Sequence, residues 1–263
     1  MSSVFCSVNL PNNKEIGEFL DLKYEQYNNP SFIDSDPISI PHRYSRKEDI
    51  EISGFLTATI SWGNRTSIVN DARKLMVLMD GAPYDFVVNS MPSDLRQLTS
   101  FYHRTFNGED CLFFIESLKK IYTSHEGLEN VFAVHPGESL KESIIRFREI
   151  FLHPPHFPRC DKHVSDPAKG SAAKRILMFL RWMVRDDNRG VDFGLWKTIK
   201  PSALLCPLDI HSGNVARKLG LLQRNTNDWK AVEELMAGLR EFDPLDPVKY
   251  DFALFGLGVF ENF

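Results

Sequence analysis

The stretch Gly170-Ser-Ala-Ala-Lys-Arg-Ile-Leu-Met-Phe-Leu-Arg-Trp-Met-Val-Arg185 is strongly helical in character. Its apolar residues recur at the spacing of about 3.6 residues that gives a helix one buried face. The stretch opens with small residues, which let another backbone come close and leave helix N–H groups available to an anion such as phosphate. It therefore predicts a helix over residues 171–185, with Lys174 about one turn inside it.

Most of the remaining chain shows the same periodicity. Further helices are predicted over residues 15–27, 47–61, 67–79, 84–88, 92–98, 111–122, 137–151, 209–219, 229–239 and 247–255. We find no sustained alternation of apolar and polar residues, the pattern that indicates strands. The prolines within His153–Pro158 remove backbone donors and break the helical pattern, so this segment is interpreted as a linker. The sequence predicts an all-α protein.

Composition excludes several classes of protein. The chain of 263 residues is 43% hydrophobic and 12% aromatic, which supplies a core and argues against disorder. No apolar run reaches the roughly 18 residues of a membrane-spanning helix. Met1–Leu10 has neither the basic start nor the cleavage site of a secretory leader. Scattered cysteines (Cys6, Cys111, Cys160, Cys206) fit reduced thiols. We expect a cytoplasmic protein with no membrane partner.

The net charge of −4 argues on its face against a nucleic-acid partner, but the charge is unevenly distributed. Residues 1–161 hold 16 Lys and Arg against 22 Asp and Glu, and residues 201–263 hold 6 against 9. Residues 162–200, the basic segment, hold 9 against 4. Such a local surplus is typical of a surface that neutralises phosphates, and equally of a solvated helix face.

A second informative stretch is Cys206-Pro-Leu-Asp-Ile-His-Ser-Gly-Asn-Val-Ala-Arg-Lys-Leu-Gly-Leu-Leu222. Asp209 precedes an amphipathic run that Gly220 ends, as a residue following a helix C-terminus does. Asp209 is therefore interpreted as an N-cap that satisfies free N–H groups of its helix. Capping is compatible with catalysis, because a capped carboxylate is oriented and stays ionised.

Residues Leu208–Leu221 resemble the V-D-T-H-x-x-R-V-x-R-R-L-G-L stretch of helix-hairpin-helix base-excision DNA glycosylases. Gly170-Ser-Ala-Ala-Lys174 is similar to the G-V-G-x-K hairpin of that family, whose lysine is the Schiff-base nucleophile. The resemblance implies that Lys174 is the nucleophile and Asp209 the catalytic aspartate. It also implies a set of residues that contact DNA or the damaged base: Trp62, Asn64, Arg65, Gly170, Ser171, Arg175 and His211.

Three of these residues lie in the helix break Thr59-Ile-Ser-Trp-Gly-Asn-Arg-Thr66. The glycosylases have a helix break at this place, and it fills the gap left in the duplex by the flipped base. Trp62 and Asn64 are the matching positions. Trp182 is a further candidate for holding the base, although a tryptophan on an apolar helix face is more often a core residue.

Departures from the glycosylase pattern indicate which branch of that family the chain resembles. Ala172 replaces the second glycine of the hairpin, and the interval of 35 residues between Lys174 and Asp209 is longer than in the endonuclease III branch. Both features are similar to the archaeal 8-oxoguanine DNA glycosylases. The C-terminal four-cysteine iron–sulfur motif is missing, so we expect no cofactor. Overall the chain resembles more closely a family of uncharacterised bacterial proteins, marked by the stretches Phe179–Arg185 and Asp246–Gly256.

The glycosylase resemblance implies two helical domains with a cleft between them. Residues 50–195 would form a helical barrel with an atypical hairpin at about 160–185, and residues 1–49 plus 196–263 the second domain. The implied reaction removes an oxidised purine such as 8-oxoguanine through a lysine Schiff base, with or without strand-cleaving lyase activity. The implied partner is double-stranded DNA carrying a damaged base, bound weakly and with strong salt sensitivity. A non-catalytic module that binds DNA or a protein on the same fold is the alternative.

A group of potential metal ligands lies in and just after the proline-rich linker. It comprises His153, His156, Cys160 and His163, residue types that suit a tetrahedral zinc site. The intervening prolines and the lack of a recognised spacing favour a loop with exposed imidazoles instead. We therefore expect no metal, with zinc at these four residues as the alternative.

Overall fold

The computed structural model describes residues 12–263, so the expectation about Met1–Leu10 and the thiol of Cys6 lie outside the described residues. The described part of the chain is built from twelve α-helices: α1 (Asn13–Tyr27), α2 (Lys47–Thr59), α3 (Arg65–Leu78), α4 (Pro83–Asn89), α5 (Pro92–Leu95), α6 (Gly108–Ser124), α7 (Leu128–Phe132), α8 (Leu140–Phe151), α9 (Lys174–Val184), α10 (Ile210–Lys218), α11 (Trp229–Phe242) and α12 (Tyr250–Phe260). The prediction of an all-α protein is confirmed.

The connections between the helices hold short 3-10 helices and one small sheet. The 3-10 helices are Pro30–Ser35, Pro37–Ser39, Pro41–Arg43, Arg96–Ser100, Pro158–His163, Pro167–Lys169, Pro201–Ala203 and Pro247–Lys249. Each of them except Arg96–Ser100 begins at a proline, whose fixed φ suits a first helical residue. Strands β1 (Tyr102–His103) and β2 (Phe106–Asn107) pair antiparallel as a hairpin that periodicity did not predict.

Helix α9 starts three residues later than its sequence pattern predicts. Ala173 has φ of +47° and Gly170 has φ of +87°, so the chain turns through the left-handed region before the helix begins. The small residues ahead of Lys174 therefore form a turn, and Lys174 becomes the first residue of α9 rather than part of its second turn.

Helices α2 and α9 form the centre of the core. Every residue of α2 from Ile50 to Thr59 is buried, and α2 packs directly against α9. A Cβ added to Gly54 on α2 would lie 3.4 Å from the Met183 side chain and 3.5 Å from the Phe179 ring of α9, which is ordinary van der Waals contact. Around these helices stands a cluster of aromatic rings centred on Phe55. Burial of that much apolar surface is the main stabilising contribution to the fold.

Helix α12 packs between α1 and α10 and links the two ends of the described chain. Gly256 of α12 lies directly against the Tyr27 ring, where a Cβ would come within 2.1 Å of the ring carbons. The Tyr27 ring also stacks on Phe260, with 5.5 Å between the ring centroids. Among residues 12–263, no helix is both long enough and apolar enough to span a bilayer.

Candidate functional site

The structure brings together Lys174 and Asp209, which are 35 residues apart in the sequence. Lys174 Nζ donates a hydrogen bond to Asp209 Oδ2 at 3.1 Å. The other carboxylate oxygen of Asp209, Oδ1, accepts from the Ser212 backbone N–H at 2.9 Å and so caps α10. Asp209 is thus an N-cap and the partner of a lysine at once, with one oxygen assigned to each task.

The Lys174–Asp209 ion pair is partly shielded from water. The Asp209 side chain is 17% exposed and that of Lys174 is 37% exposed. Burial by itself raises the pKa of Asp209, but the Lys174 ammonium and the Ser212 N–H outweigh it and hold that pKa below its ordinary value. The resting pair is therefore a carboxylate facing an ammonium.

The pair lies on the wall of a cavity of about 690 Å³, here called the central cavity. This volume is within the range of roughly 300–1,000 Å³ usual for small-molecule sites. Four aromatic side chains line it: Phe32, Trp62, Trp182 and Phe255. Trp182 is completely buried, and no hydrogen-bond partner for its indole N–H exists among the described residues. The central cavity thus combines aromatic walls with a lysine and an aspartate.

Two further carboxylates line the central cavity that sequence reasoning missed. Asp251 is buried, and that burial raises its pKa to about 6 in spite of its ion pair with Arg181. Asp36, also buried, caps a 3-10 helix by accepting from the Ile38 N–H at 3.1 Å, and burial raises its pKa as well. The sequence signal for Asp251 was an acid inside the apolar run Tyr250–Phe260. A charged residue at such a position is buried only when it has a partner.

Trp62 and Arg175 form a stacked pair beside the cavity. The Arg175 guanidinium lies 4.8 Å from the centroid of the Trp62 ring and donates to the Thr59 carbonyl at the end of α2. Burial lowers the pKa of Arg175 to about 10. Arg175 is therefore directed into the protein, where it holds Trp62 in place. Arg175 does not line the central cavity. Trp62 does, so its ring is available to a molecule bound there.

The other residues expected to contact DNA or a base are divided between the cavity and its surroundings. Arg65 and His211 line the central cavity, and the Arg65 guanidinium lies 5.0 Å from the centroid of the Phe255 ring. Asn64 is exposed and does not line the cavity. Its side-chain oxygen accepts from the Ser67 N–H at 3.1 Å and caps α3.

Gly170 and Ser171 also lie outside the cavity lining. The Gly170 N–H donates to the Pro167 carbonyl and the Ser171 N–H to the Asp166 carbonyl, both at 3.1 Å. The Gly170 carbonyl accepts from the Trp229 N–H at 3.0 Å, which attaches the turn to the start of α11. These two N–H groups are consumed within the protein, so they are not the free donors that the small residues suggested for a phosphate.

The basic segment 162–200 exposes fewer positive charges than its charge count suggests. Arg181 and Arg185 are buried and form ion pairs with Asp192 and with three other aspartates: Asp187, Asp246 and Asp251. Asp246 and Asp251 lie outside residues 162–200, so their negative charges were not included when the charges of the segment were counted. The exposed cations of the segment are lysines: Lys162, Lys169, Lys197 and Lys200.

The His and Cys residues considered as zinc ligands do not form a metal site. His156 contacts Asp161 at 2.8 Å and the Pro154 carbonyl at 2.7 Å through its two ring nitrogens. The Cys160 thiol donates to Asp110 at 3.0 Å, while His153 is exposed and His163 is buried. Over residues 12–263 no group of three or more His, Cys, Asp or Glu side chains is arranged to hold a metal ion.

Fold and site together define a class: an all-helical protein whose central cavity presents an ion-paired lysine and aspartate among aromatic side chains. A protein-family model matches residues 36–260, and the chain belongs to that family, which is described as "Protein of unknown function (DUF2400)". No curated protein and no solved structure matches the chain.

Proposed function

We propose that the protein is a DNA glycosylase that removes a damaged purine, with 8-oxoguanine as the first substrate to test. The observation that carries the proposal is the 3.1 Å contact between Lys174 Nζ and Asp209 Oδ2 on the wall of the central cavity. A lysine nucleophile needs an acceptor for its proton and a site from which water can be displaced, and this arrangement offers both.

In the proposed reaction Lys174 passes a proton to Asp209, and the free amine attacks C1′ of the damaged nucleotide. The Nζ–C1′ bond forms while the bond from C1′ to the base breaks, and its electron pair leaves with the base, which takes up the proton held by Asp209. A further proton then moves from Nζ to the sugar ring oxygen O4′. The C1′–O4′ bond opens as the C1′=Nζ double bond of the imine forms. Once the base has taken up the proton that Asp209 held, Asp209 is again a carboxylate, and it then stabilises the positive charge shared by Nζ and C1′.

The cavity walls support the binding of an extruded base. An enzyme that acts on a base within duplex DNA must take it out of the stack, at a cost of a few kcal/mol. Aromatic side chains offset that cost by stacking on the base, and Phe32, Trp62 and Phe255 line the cavity. Buried carboxylates, Asp36 and Asp251, offer hydrogen-bond acceptors on the same walls.

We further propose the two-domain organisation that the resemblance implies, with residues 50–195 as one domain and residues 1–49 plus 196–263 as the other. The distribution of the cavity lining supports it. Trp62 and Lys174 come from the first range, whereas Asp209 and Phe255 come from the second. A ligand in the central cavity would therefore contact both proposed domains.

Borohydride trapping tests the proposed chemistry. Duplexes that carry 8-oxoguanine or another lesion are incubated with the protein and borohydride, which reduces an imine to a stable covalent adduct. We expect an adduct with the wild type and none with Lys174→Gln. Lys162→Gln is the matched control, since Lys162 is an exposed lysine of the same basic segment that does not line the cavity. An adduct that survives Lys174→Gln would place the nucleophile elsewhere.

A non-catalytic module that binds damaged DNA is the second candidate. The observation that favours it is the resting Lys174–Asp209 pair, a carboxylate that faces an ammonium, because an ammonium has no electron pair with which to attack C1′. This candidate predicts salt-sensitive binding of lesion duplexes with no adduct and no released base over a broad panel of lesions.

A further inference from the structure

The 102–107 hairpin, formed by β1 and β2 with the turn between them, presents an aromatic and a cation to solvent. Tyr102 is 65% exposed, an unusual amount for a tyrosine, and Arg104 is exposed two residues later. Alternate residues of a strand point to opposite faces, so Tyr102 faces away from the buried His103, and Arg104 is exposed in the turn that follows. The hairpin therefore carries an outward-facing pair that contributes nothing to the core.

The hairpin is fixed to the protein from both sides. Buried His103 contacts Asp71 at 2.6 Å and the Trp62 carbonyl at 3.2 Å through its two ring nitrogens. From the other side Arg159 donates to the Thr105 carbonyl at 2.9 Å in the turn. Tyr102 and Arg104 thus lie on a hairpin whose backbone is held by contacts on both sides. Such an arrangement suits binding of a partner, because little conformational entropy is lost when the complex forms.

The hairpin also lies next to the central cavity. The Arg104 side chain packs on Gly63, where a Cβ would come within 2.7 Å of Arg104 Nη1. Gly63 has φ of +107° and lines the central cavity. Arg104 itself has φ of +53°, a conformation uncommon for a residue with a side chain. The backbones of both residues are adapted to hold a guanidinium beside the cavity.

We infer that the 102–107 hairpin is a duplex-binding element beside the cavity: Tyr102 stacks on a base face that the extruded nucleotide leaves open, and Arg104 pairs with a backbone phosphate. The inference rests on the proposed function, because it takes duplex DNA with an extruded nucleotide as the occupant. Three observations favour that occupant: the exposed aromatic ring, the adjacent cation, and continuity through Gly63 with the cavity that would hold the base. Aromatic stacking on bases and pairing with phosphates are the usual contacts of proteins that bind unstacked nucleic acid.

Equilibrium binding tests the inference without requiring turnover. The probe is a fluorescent duplex with a tetrahydrofuran abasic site, and its undamaged counterpart is measured in parallel over a series of salt concentrations. We expect Tyr102→Ala to weaken binding of the abasic duplex about tenfold. Tyr102→Phe should retain wild-type binding, because it keeps the ring. Arg104→Ala should lower the slope of log affinity against log salt by about one.

Matched controls come from the α11 region, which does not line the cavity. Arg240→Ala removes an exposed arginine and Leu245→Ala an exposed apolar residue, and both should bind DNA like the wild type. Circular dichroism melts check that the hairpin variants fold. Wild-type affinity in folded Tyr102→Ala, or loss of affinity in Tyr102→Phe, would overturn the stacking role. A wild type that binds no duplex would overturn the whole inference.

The outcomes separate this inference from the proposed function. If the wild type forms a borohydride adduct but Tyr102→Ala binds normally, the glycosylase proposal stands and the hairpin inference fails. If no adduct forms but binding of the abasic duplex depends on Tyr102, the hairpin inference stands on a non-catalytic protein.

Discussion

Replacement of Asp209 by asparagine or by alanine separates the two tasks of this carboxylate. The Asp209→Asn variant would keep a side-chain oxygen for the Ser212 N–H and a good N-cap, but its amide has no charge to offer Lys174. The Asp209→Ala variant would lose both the cap and the ion pair. The structure therefore predicts a graded loss of stability, with the asparagine variant between the wild type and the alanine variant.

The size of each step follows from the geometry. At 3.1 Å and an effective dielectric constant of about 20, the attraction between the two charges is about 5 kcal/mol before solvation is counted. Lys174 is 37% exposed, so water screens the pair and resolvates the ammonium once the aspartate is gone. We expect a net loss of about 1–2 kcal/mol for Asp209→Asn, because that screening removes most of the attraction. Loss of the cap adds about 1 kcal/mol for Asp209→Ala.

Urea unfolding followed by circular dichroism at neutral pH measures these losses. A double-mutant cycle with Lys174→Gln isolates the pair energy, because only the wild type contains both charges. The pH dependence has a defined sign. Since the Lys174 ammonium holds the pKa of Asp209 below its ordinary value, the contribution of the pair is complete above about pH 4 and is lost as the pH falls through the folded-state pKa.

Equal losses for Asp209→Asn and Asp209→Ala would refute the capping role. A coupling energy near zero in the cycle would refute the ion pair as a contributor to stability. Catalysis is read separately, by trapping: if Asp209 is the proton acceptor for Lys174, both variants should lose adduct formation alike, by at least about 100-fold. Full trapping in the stable Asp209→Asn variant would remove Asp209 from the mechanism.

Four further predictions concern residues outside the Lys174–Asp209 pair. Burial raises the pKa of Asp251 to about 6, so the folded protein retains a proton that the unfolded chain releases. Wild-type stability should therefore fall relative to Asp251→Asn as the pH rises from about 4 to 7, by at most about 3 kcal/mol, in urea titrations at stepped pH. Gly256→Ala should cost about 1–3 kcal/mol, because the added Cβ meets a tyrosine ring of α1 at 2.1 Å. Gly238→Ala inside α11, where the added Cβ meets only the Leu221 side chain at an ordinary 3.4 Å, should instead raise thermal stability by up to about 1 kcal/mol. Arg175→Lys should lower the melting temperature, because the lysine ammonium lacks the planar guanidinium group that stacks on Trp62.

The sequence predicted the helices well wherever one helix face is apolar. Burial of such a face requires apolar residues at the helical spacing of about 3.6 residues, and this spacing identifies the helix. It failed where elements are short. Strands β1 and β2 have two residues each, too few for any alternation, and the hairpin depends on His103 finding Asp71 in the folded protein. The five-residue helix α7 was missed for the same reason.

The candidate site was predictable only in part. Lys174 and Asp209 could be selected from local motifs, since each begins a helix and motif residues lie within a few positions of it. Asp251 could be recognised as a buried acid within an apolar run, but neither it nor Asp36 could be assigned to the cavity, which is formed by segments more than 200 residues apart. The charge count of residues 162–200 included Arg181 and Arg185 and could not show that they are buried, because their aspartate partners are set by tertiary packing.

The burial of Arg181 and Arg185 changes which residues are candidates for the proposed contacts with DNA. Arg185 donates to the Tyr24 hydroxyl on α1 at 2.8 Å, and Arg181, which lines the cavity, pairs with Asp251 on α12, so both are held inside the protein. Paired and buried, they release few counterions on DNA binding, and the charge surplus of residues 162–200 overstates their contribution. The proposed DNA binding would then depend on cations that are exposed, such as Arg104 beside the cavity and the exposed lysines of the basic segment. If the protein binds DNA as proposed, its salt dependence should therefore be shallower than the charge count of residues 162–200 predicts, and it should decrease further in Arg104→Ala.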